Sequence, residues 1–288
     1  MSPIFSTLVD LDSLLGNRMR LIIAGGLGLY LKQVYLEKTG TRTLVKLDRW
    51  PVARTTEDID LFLPAALLVS RDDFAQIRTA LDTLGFAEVE SAKHYQFVRA
   101  GQRGKVKVDV HIGPLGPYGG HNHAGNDRRA RPKGKHTGLH ARRTDEALGA
   151  ELEPFPIPLD GVRSDGTPAT CEVHVPSAFP YAMMKLFALR DRLDDPDKSL
   201  GRHHALDLYR IIAMLTEEDE RLAGELALRF RHDSHRIEAL RIARELFSTP
   251  ESRGSVRLRE HPLAPGDFSA DWLRTELVRL IDGPPAPG

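Results

Sequence analysis

The chain has 288 residues and a mass of 32.1 kDa, long enough for one large or two modest domains with a substantial core. Apolar residues make up 41% and charged residues 28%, which excludes a collagen-like, coiled-coil or intrinsically disordered chain. Forty basic residues balance forty acidic ones, so attraction to a polyanion must come from a local patch.

Cys171 is the only cysteine, so no intramolecular disulfide and no paired-cysteine zinc spacing exists, and a reducing compartment is expected. The longest uncharged apolar run, residues 21–31, is too short to span a bilayer. Asp10 and Asp12 stand where a signal peptide would be basic. A cytoplasmic protein that does not enter a membrane is the expectation.

No repeat of fixed period is present, which argues against solenoids and propellers. In chain order, residues 21–24 read as a buried strand and 26–37 as a helix. A strand is predicted over 59–63, a helix over 71–84, and strands over 95–98 and 106–112. The segment 113–144 has little apolar periodicity and much Gly, His, Arg and Lys, and reads as a long exposed basic loop. After Pro176 the strand signals stop, and amphipathic helices are predicted over 177–193, 202–215, 218–231, 234–247 and 268–281. The expected fold class is α+β: a mixed sheet with helices over residues 1–175, then a helical bundle over 176–288. The Pro- and Gly-rich tail, 283–288, is expected to fray.

Chemistry concentrates at three places in the first half. Gly25 and Gly26 follow the apolar strand and precede a helix, where backbone N–H groups can approach a phosphate. The same pair also reads as a plain tight turn. In the strand after Thr56-Glu57, Asp58 and Asp60 project from one face while Ile59, Leu61 and Leu63 enter the core. Adjacent carboxylates repel unless a cation neutralises them, and Mg²⁺ with carboxylate and phosphate oxygens is the usual solution. A solvated strand face is the competing reading. Asp109 lies in an alternating run with Lys105, Lys107 and His111 on one face and valines on the other. On a neighbouring strand it would complete a set of three carboxylates able to hold two divalent ions, or it pairs with its lysine neighbours.

The order Gly25-Gly26, then Asp58-Ile59-Asp60, then Asp109 resembles the nucleotidyltransferase superfamily with the polymerase-β-like fold. The segments from Tyr181 through Lys185 to Arg192, and from Arg202 through Asp207 to Tyr209, are similar to the later motifs of the AbiEii/AbiGii toxin family. The resemblance spans roughly residues 20–215, and Thr56-Glu57-Asp58-Ile59-Asp60-Leu61 is its most specific part. It implies that Gly25 and Gly26 contact a triphosphate, Asp58 and Asp60 ligate Mg²⁺, Lys185 neutralises phosphate, and Asp207 takes the late acidic position. Arg192, seven residues after Lys185 and on the same helical face, would join it at the nucleotide. From the residues alone, Asp207 could orient Lys185 or assist proton removal, while Lys185, Arg190 and Arg192 also fit a solvated flank paired with Asp191, Asp194 and Asp195. Two features depart from the family. Gly26 stands where serine is common, and 31 residues separate Gly26 from Asp58, so an insertion is expected over 38–53.

Between His121 and Arg143 seven Lys or Arg residues face one acid, Asp127, a local charge of +6, with His121, His123, His136 and His140 in addition. The stretch reads either as a solvated loop or as a track for an RNA or DNA backbone; no compact zinc spacing emerges. The expected function is Mg²⁺-dependent transfer of a nucleoside monophosphate from an NTP to an acceptor hydroxyl. By resemblance that acceptor is a tRNA end, and the chain is the toxin of a toxin–antitoxin pair with a cognate antitoxin. A non-catalytic binding relative and a small-molecule nucleotidyltransferase are the alternatives.

Overall fold

The structure, a computed structural model, describes residues 3–16, 19–54, 56, 58–101, 104–121, 128–132 and 137–283. Thr55 and Glu57 lie outside the described residues, as do His123, Asp127 and His136 of the basic stretch and residues 284–288 of the tail. The fold is α+β with a mixed, open sheet, and the chain divides into two compact units. Unit one holds residues 1–31, 55–145 and 151–176; unit two holds 32–54, 146–150 and 177–288.

Unit one is built on the sheet. Its strands are β1 (Leu21–Ala24), β2 (Asp58–Leu63), β3 (Ala87–Glu88), β4 (Gln96–Gly101), β5 (Gly104–Ile112), β6 (Arg129–Ala130), β7 (Ala141–Arg143), β8 (Phe155–Val162) and β9 (Pro168–Val175). The main path runs β3-β4-β5-β2-β1-β9-β8, with β7 pairing β5 and β6. Every residue of β1 is buried, as its unbroken Leu-Ile-Ile-Ala run requires of a strand near the middle of a sheet. In β5, Val106, Val108, Val110 and Ile112 are buried and alternate with Lys105, Lys107, Asp109 and His111. Helix α1 (Pro3–Leu15) packs its Ile4, Leu8, Leu11 and Leu15 stripe against β8, β9 and helix α3 (Arg71–Thr83).

This half holds elements that the sequence pattern does not single out. The sequence reading has no helix before residue 26, although the spacing of the α1 stripe is helical. Strands β8 and β9 also fall in the half that reads as mixed but are not singled out there; Pro156 and Pro158 obscure β8, and both are exposed on it, an edge strand where a missing N–H costs no ladder bond. The segment 113–144 is not loop throughout. β6 and β7 form within it and bury Ala130 and Ala141, but strands of two and three residues are too short to register as periodicity.

Unit two is helical. Helix α2 (Gly25–Thr39) begins in unit one, and its residues from Lys32 onward belong to unit two. There they join α4 (Ala178–Asp191), α5 (Lys198–Ala213), α6 (Glu217–Arg229), α7 (Ser234–Leu246), α8 (Arg253–Arg259) and α9 (Ala270–Asp282). The sequence reading lacks α8, whose seven residues make only two turns. Thr216 and Asp219 form a capping box at the start of α6, and the same Asp219 carboxylate accepts from Lys32 Nζ at 2.8 Å in a fully buried pair. The expected insertion, residues 38–53, runs alongside the end of α5, with Leu44 N donating to Leu215 O and Val45 N to Ala213 O. Among the described residues no helix is long and apolar enough to cross a membrane.

Candidate functional site

Where β1 ends, the chain turns at Gly25 with φ +65° and enters α2. Ala24 is the antiparallel partner of Asp60, so the turn lies against the Asp60 side chain. A Cβ on Gly25 would sit 1.7 Å from Asp60 Oδ2 and 2.6 Å from its Cγ. Both the left-handed backbone and the carboxylate therefore require glycine here. The Asp60 carboxylate meets the first turn of α2, where the backbone N–H groups and the helix dipole favour negative charge. Gly26, half-buried, is the second residue of that turn.

The parallel register of β2 and β5 sets Asp58 opposite Lys107, Asp60 opposite Asp109 and Phe62 opposite His111. Ligand atoms of Asp60, Asp109 and His111 lie within 4.8 Å of one another, and His111 Nε2 is 3.2 Å from Asp60 Oδ1. These three side chains are 17–26% exposed, sheltered yet reachable from solvent. Gln96, across from Asp109 on β4, donates its amide N–H to Asp109 Oδ1 at 2.6 Å, and Thr144 Oγ1 lies 3.4 Å from His111 Nδ1. Two carboxylates and an imidazole, each oriented by a neighbour, form a donor set that can hold a divalent cation. Asp58 stands apart from that trio. Its Oδ2 is 3.0 Å from Lys107 Nζ, which also reaches Asp109 Oδ2 at 3.3 Å.

The charges of the site respond to this packing. Burial raises the pKa of Asp109 above the usual carboxylate value, and the nearby Asp60 charge adds to the rise, against the lowering pull of Gln96 and Lys107. Burial would lower Lys107, but Asp58 and Asp109 outweigh it and the ammonium is held charged. Of the residues singled out from sequence, Gly25, Asp60 and Asp109 thus converge, with Asp58 beside them on Lys107. His111 carries no distinct signal as a lone histidine; only the β5 alternation places it on the shared face.

Lys185, Asp207 and Arg192 lie in unit two. Asp207 is fully buried and accepts from Lys185 Nζ at 2.7 Å and from Arg210 Nη1 at 3.2 Å, with Arg54 Nη2 at 3.6 Å. Gln33 Oε1 accepts from Arg210 Nε and Nη2 and fixes that guanidinium. Burial alone would raise Asp207; Lys185, Arg210 and Arg54 reverse it and hold the carboxyl far below its usual range. A carboxylate held so strongly ionised is a weak proton acceptor but a good anchor for Lys185. Arg192, half-exposed beyond the end of α4, donates to Asp195 at 2.7 Å. His203 Nδ1 and His261 Nε2 are 2.9 Å apart, and Leu263 N donates to His261 Nδ1.

No family model matches the chain, and no curated protein or solved structure matches it significantly.

Two outcomes are expected. Gly25→Ala should strain the turn by about 1–3 kcal/mol and push the Asp60 carboxylate away; a thermal melt should fall and divalent-cation affinity should drop with it. Unchanged affinity would separate the turn from the site. In unit two, His204 Nδ1 is buried without a hydrogen-bond partner among the described residues, and burial, then Lys185, push the imidazole down to about 3, with Arg54 and Arg192 adding to the effect and Asp207 opposing it. The unfolded chain protonates first, near 6.5, so stability is intact above that pH and declines as pH falls toward 3. His204→Gln should make the decline shallower by up to about 1 kcal/mol per pH unit between pH 6 and 4 in urea unfolding. Identical slopes would show that His204 is not held neutral.

Proposed function

We propose that this chain is a divalent-cation-dependent nucleotidyltransferase of the polymerase-β-like superfamily, akin to the AbiEii/AbiGii toxins, which passes a nucleoside monophosphate from an NTP to an acceptor hydroxyl. The observation that carries the reading is the meeting of Asp60 with the Gly25 turn on one side and with Asp109 on the other. A carboxylate pair on adjacent strands beside the N-terminal turn of a helix brings cation ligands near backbone N–H groups suited to phosphate oxygens. In this proposal Mg²⁺, when bound, offsets the charge that develops on the transferring phosphate. Asp60 and Asp109 hold it, Gln96 keeps Asp109 oriented, and the first turn of α2 at Gly25 and Gly26 seats phosphate.

The acceptor in this proposal is an RNA end, with tRNA the candidate the resemblance suggests and a toxin–antitoxin pair the setting. Support comes from β6 and β7, where Arg129 and Arg142 are direct cross-strand partners and Arg142 is also in register with His111 of β5. The described part of the basic stretch therefore adjoins the strand that bears Asp109, where positive charge would draw a polynucleotide backbone. Asp145 offsets part of that charge at Arg143.

A second reading has its own observation. Lys107 Nζ sits between Asp58 and Asp109 and supplies positive charge without any ion, as a relative that binds nucleotide without turnover would require. One experiment separates the readings: labelled NTPs incubated with Mg²⁺ or Mn²⁺ and total RNA, purified tRNA or candidate small molecules. Label should pass to RNA and be lost in Asp60→Ala. Label on a small molecule would move the acceptor class, and no transfer under any condition would favour the non-catalytic reading.

A further inference from the structure

We propose that the ion bound by this site is a first-row transition metal, with His111 Nε2 as a direct ligand beside Asp60 and Asp109, and that Mg²⁺ is the weaker occupant. The inference deepens the reading above, because it concerns the ion of the same site.

The donor set makes the argument. Mg²⁺ takes oxygen ligands in a near-octahedral shell and keeps several of its waters. Imidazole nitrogen suits Fe²⁺, Ni²⁺ or Zn²⁺ far better, with Mn²⁺ the most weakly held of the first-row series, and two carboxylates complete a mixed oxygen and nitrogen set for such ions. His111 Nε2 is turned toward Asp60 Oδ1 at 3.2 Å, and all three donor atoms lie within 4.8 Å of one another. Metal–ligand bonds of about 2.0–2.2 Å need separations only somewhat smaller than these, so small side-chain rotations close the shell. Thr144 Oγ1, 3.4 Å from His111 Nδ1, can accept a hydrogen bond from Nδ1–H, which favours the tautomer with its lone pair on Nε2. Gln96 occupies Asp109 Oδ1 and leaves Oδ2 for an ion, in competition with Lys107. Asp58, held by Lys107, is outside the shell.

The rigid surroundings add to the selectivity. β2 and β5 fix Asp60 and Asp109 side by side, and the Gly25 turn bars Asp60 from swinging toward α2. A donor set with one nitrogen discriminates by ligand type.

The test uses the full-length protein and Mn²⁺ alone as probe. The free-ion electron paramagnetic resonance signal should fall on titration, and pulsed spectra should carry nitrogen coupling from one imidazole. A hundredfold excess of Mg²⁺ should leave most of the Mn²⁺ bound. His111→Ala should abolish the nitrogen coupling, weaken Mn²⁺ by about tenfold or more, and erase the preference over Mg²⁺, while a thermal melt confirms that the variant folds. His111→Gln, which keeps a neutral polar group of similar reach, should melt close to the wild type and likewise lack the coupling. Wild-type Mn²⁺ spectra without nitrogen coupling, equal competition by Mg²⁺, or undiminished affinity in His111→Ala would overturn the inference. Oxygen-only Mg²⁺ binding with intact nucleotidyl transfer would overturn it and leave the proposed function standing. Nitrogen-coupled Mn²⁺ in a protein with no transferase activity would support it and remove the function.

Discussion

Space at the Gly25 turn is the constraint on which the rest of the site depends. The Asp60 carboxylate occupies the volume a side chain at position 25 would need, so the turn between β1 and α2 and the acid on β2 determine each other. Sheet register carries that choice one strand further. With Ala24 opposite Asp60 and Asp60 opposite Asp109, the helix start, the first acid and the second acid fall in line across three strands. His111 follows two residues after Asp109, on the same face of β5, at no additional conformational cost. The polar face is then held by neighbours, Gln96 on Asp109 and Thr144 beside His111, and not by the ligands alone.

Charge in unit two is organised differently. Asp207 is wholly buried among Lys185, Arg210 and Arg54, and Asp219 among Lys32 and its own helix cap. Removing one member of such a buried pair strands the other, a penalty of about 3–5 kcal/mol, whereas the intact pair adds little net stability. These pairs therefore fix geometry more than they hold the unit together. They orient Lys185 along α4 and set the Lys32 turn of α2 against α6.

Much of this is legible in the sequence. Helices after Pro176 follow from period 3.6, although α5 starts at Lys198, ahead of the expected 202, behind an Asp197 cap. The face shared by Asp109 and His111 follows from strict alternation with buried valines. What alternation cannot supply is register. Asp58 and Asp60 share a face, but only the pairing with β5 sets Lys107 beside one and Asp109 beside the other. Strand β8 was hidden because edge position, the very thing that tolerates Pro156 and Pro158, is a property of the assembled sheet. The environment of Asp207 was hidden for a similar reason: Gln33 and Arg54, which complete its surroundings, are far away in the chain.

The central geometric claim is that a cation belongs between Asp60, Asp109 and His111, directly beside the Gly25 turn. Anomalous diffraction at the manganese edge from crystals soaked in Mn²⁺ tests it most directly. The account predicts one strong peak bonded to the Asp60 and Asp109 carboxylates and to His111 Nε2, with Lys107 still on Asp58. A featureless map at that position, with Lys107 spanning Asp58 and Asp109 as the sole counter-charge, would contradict it.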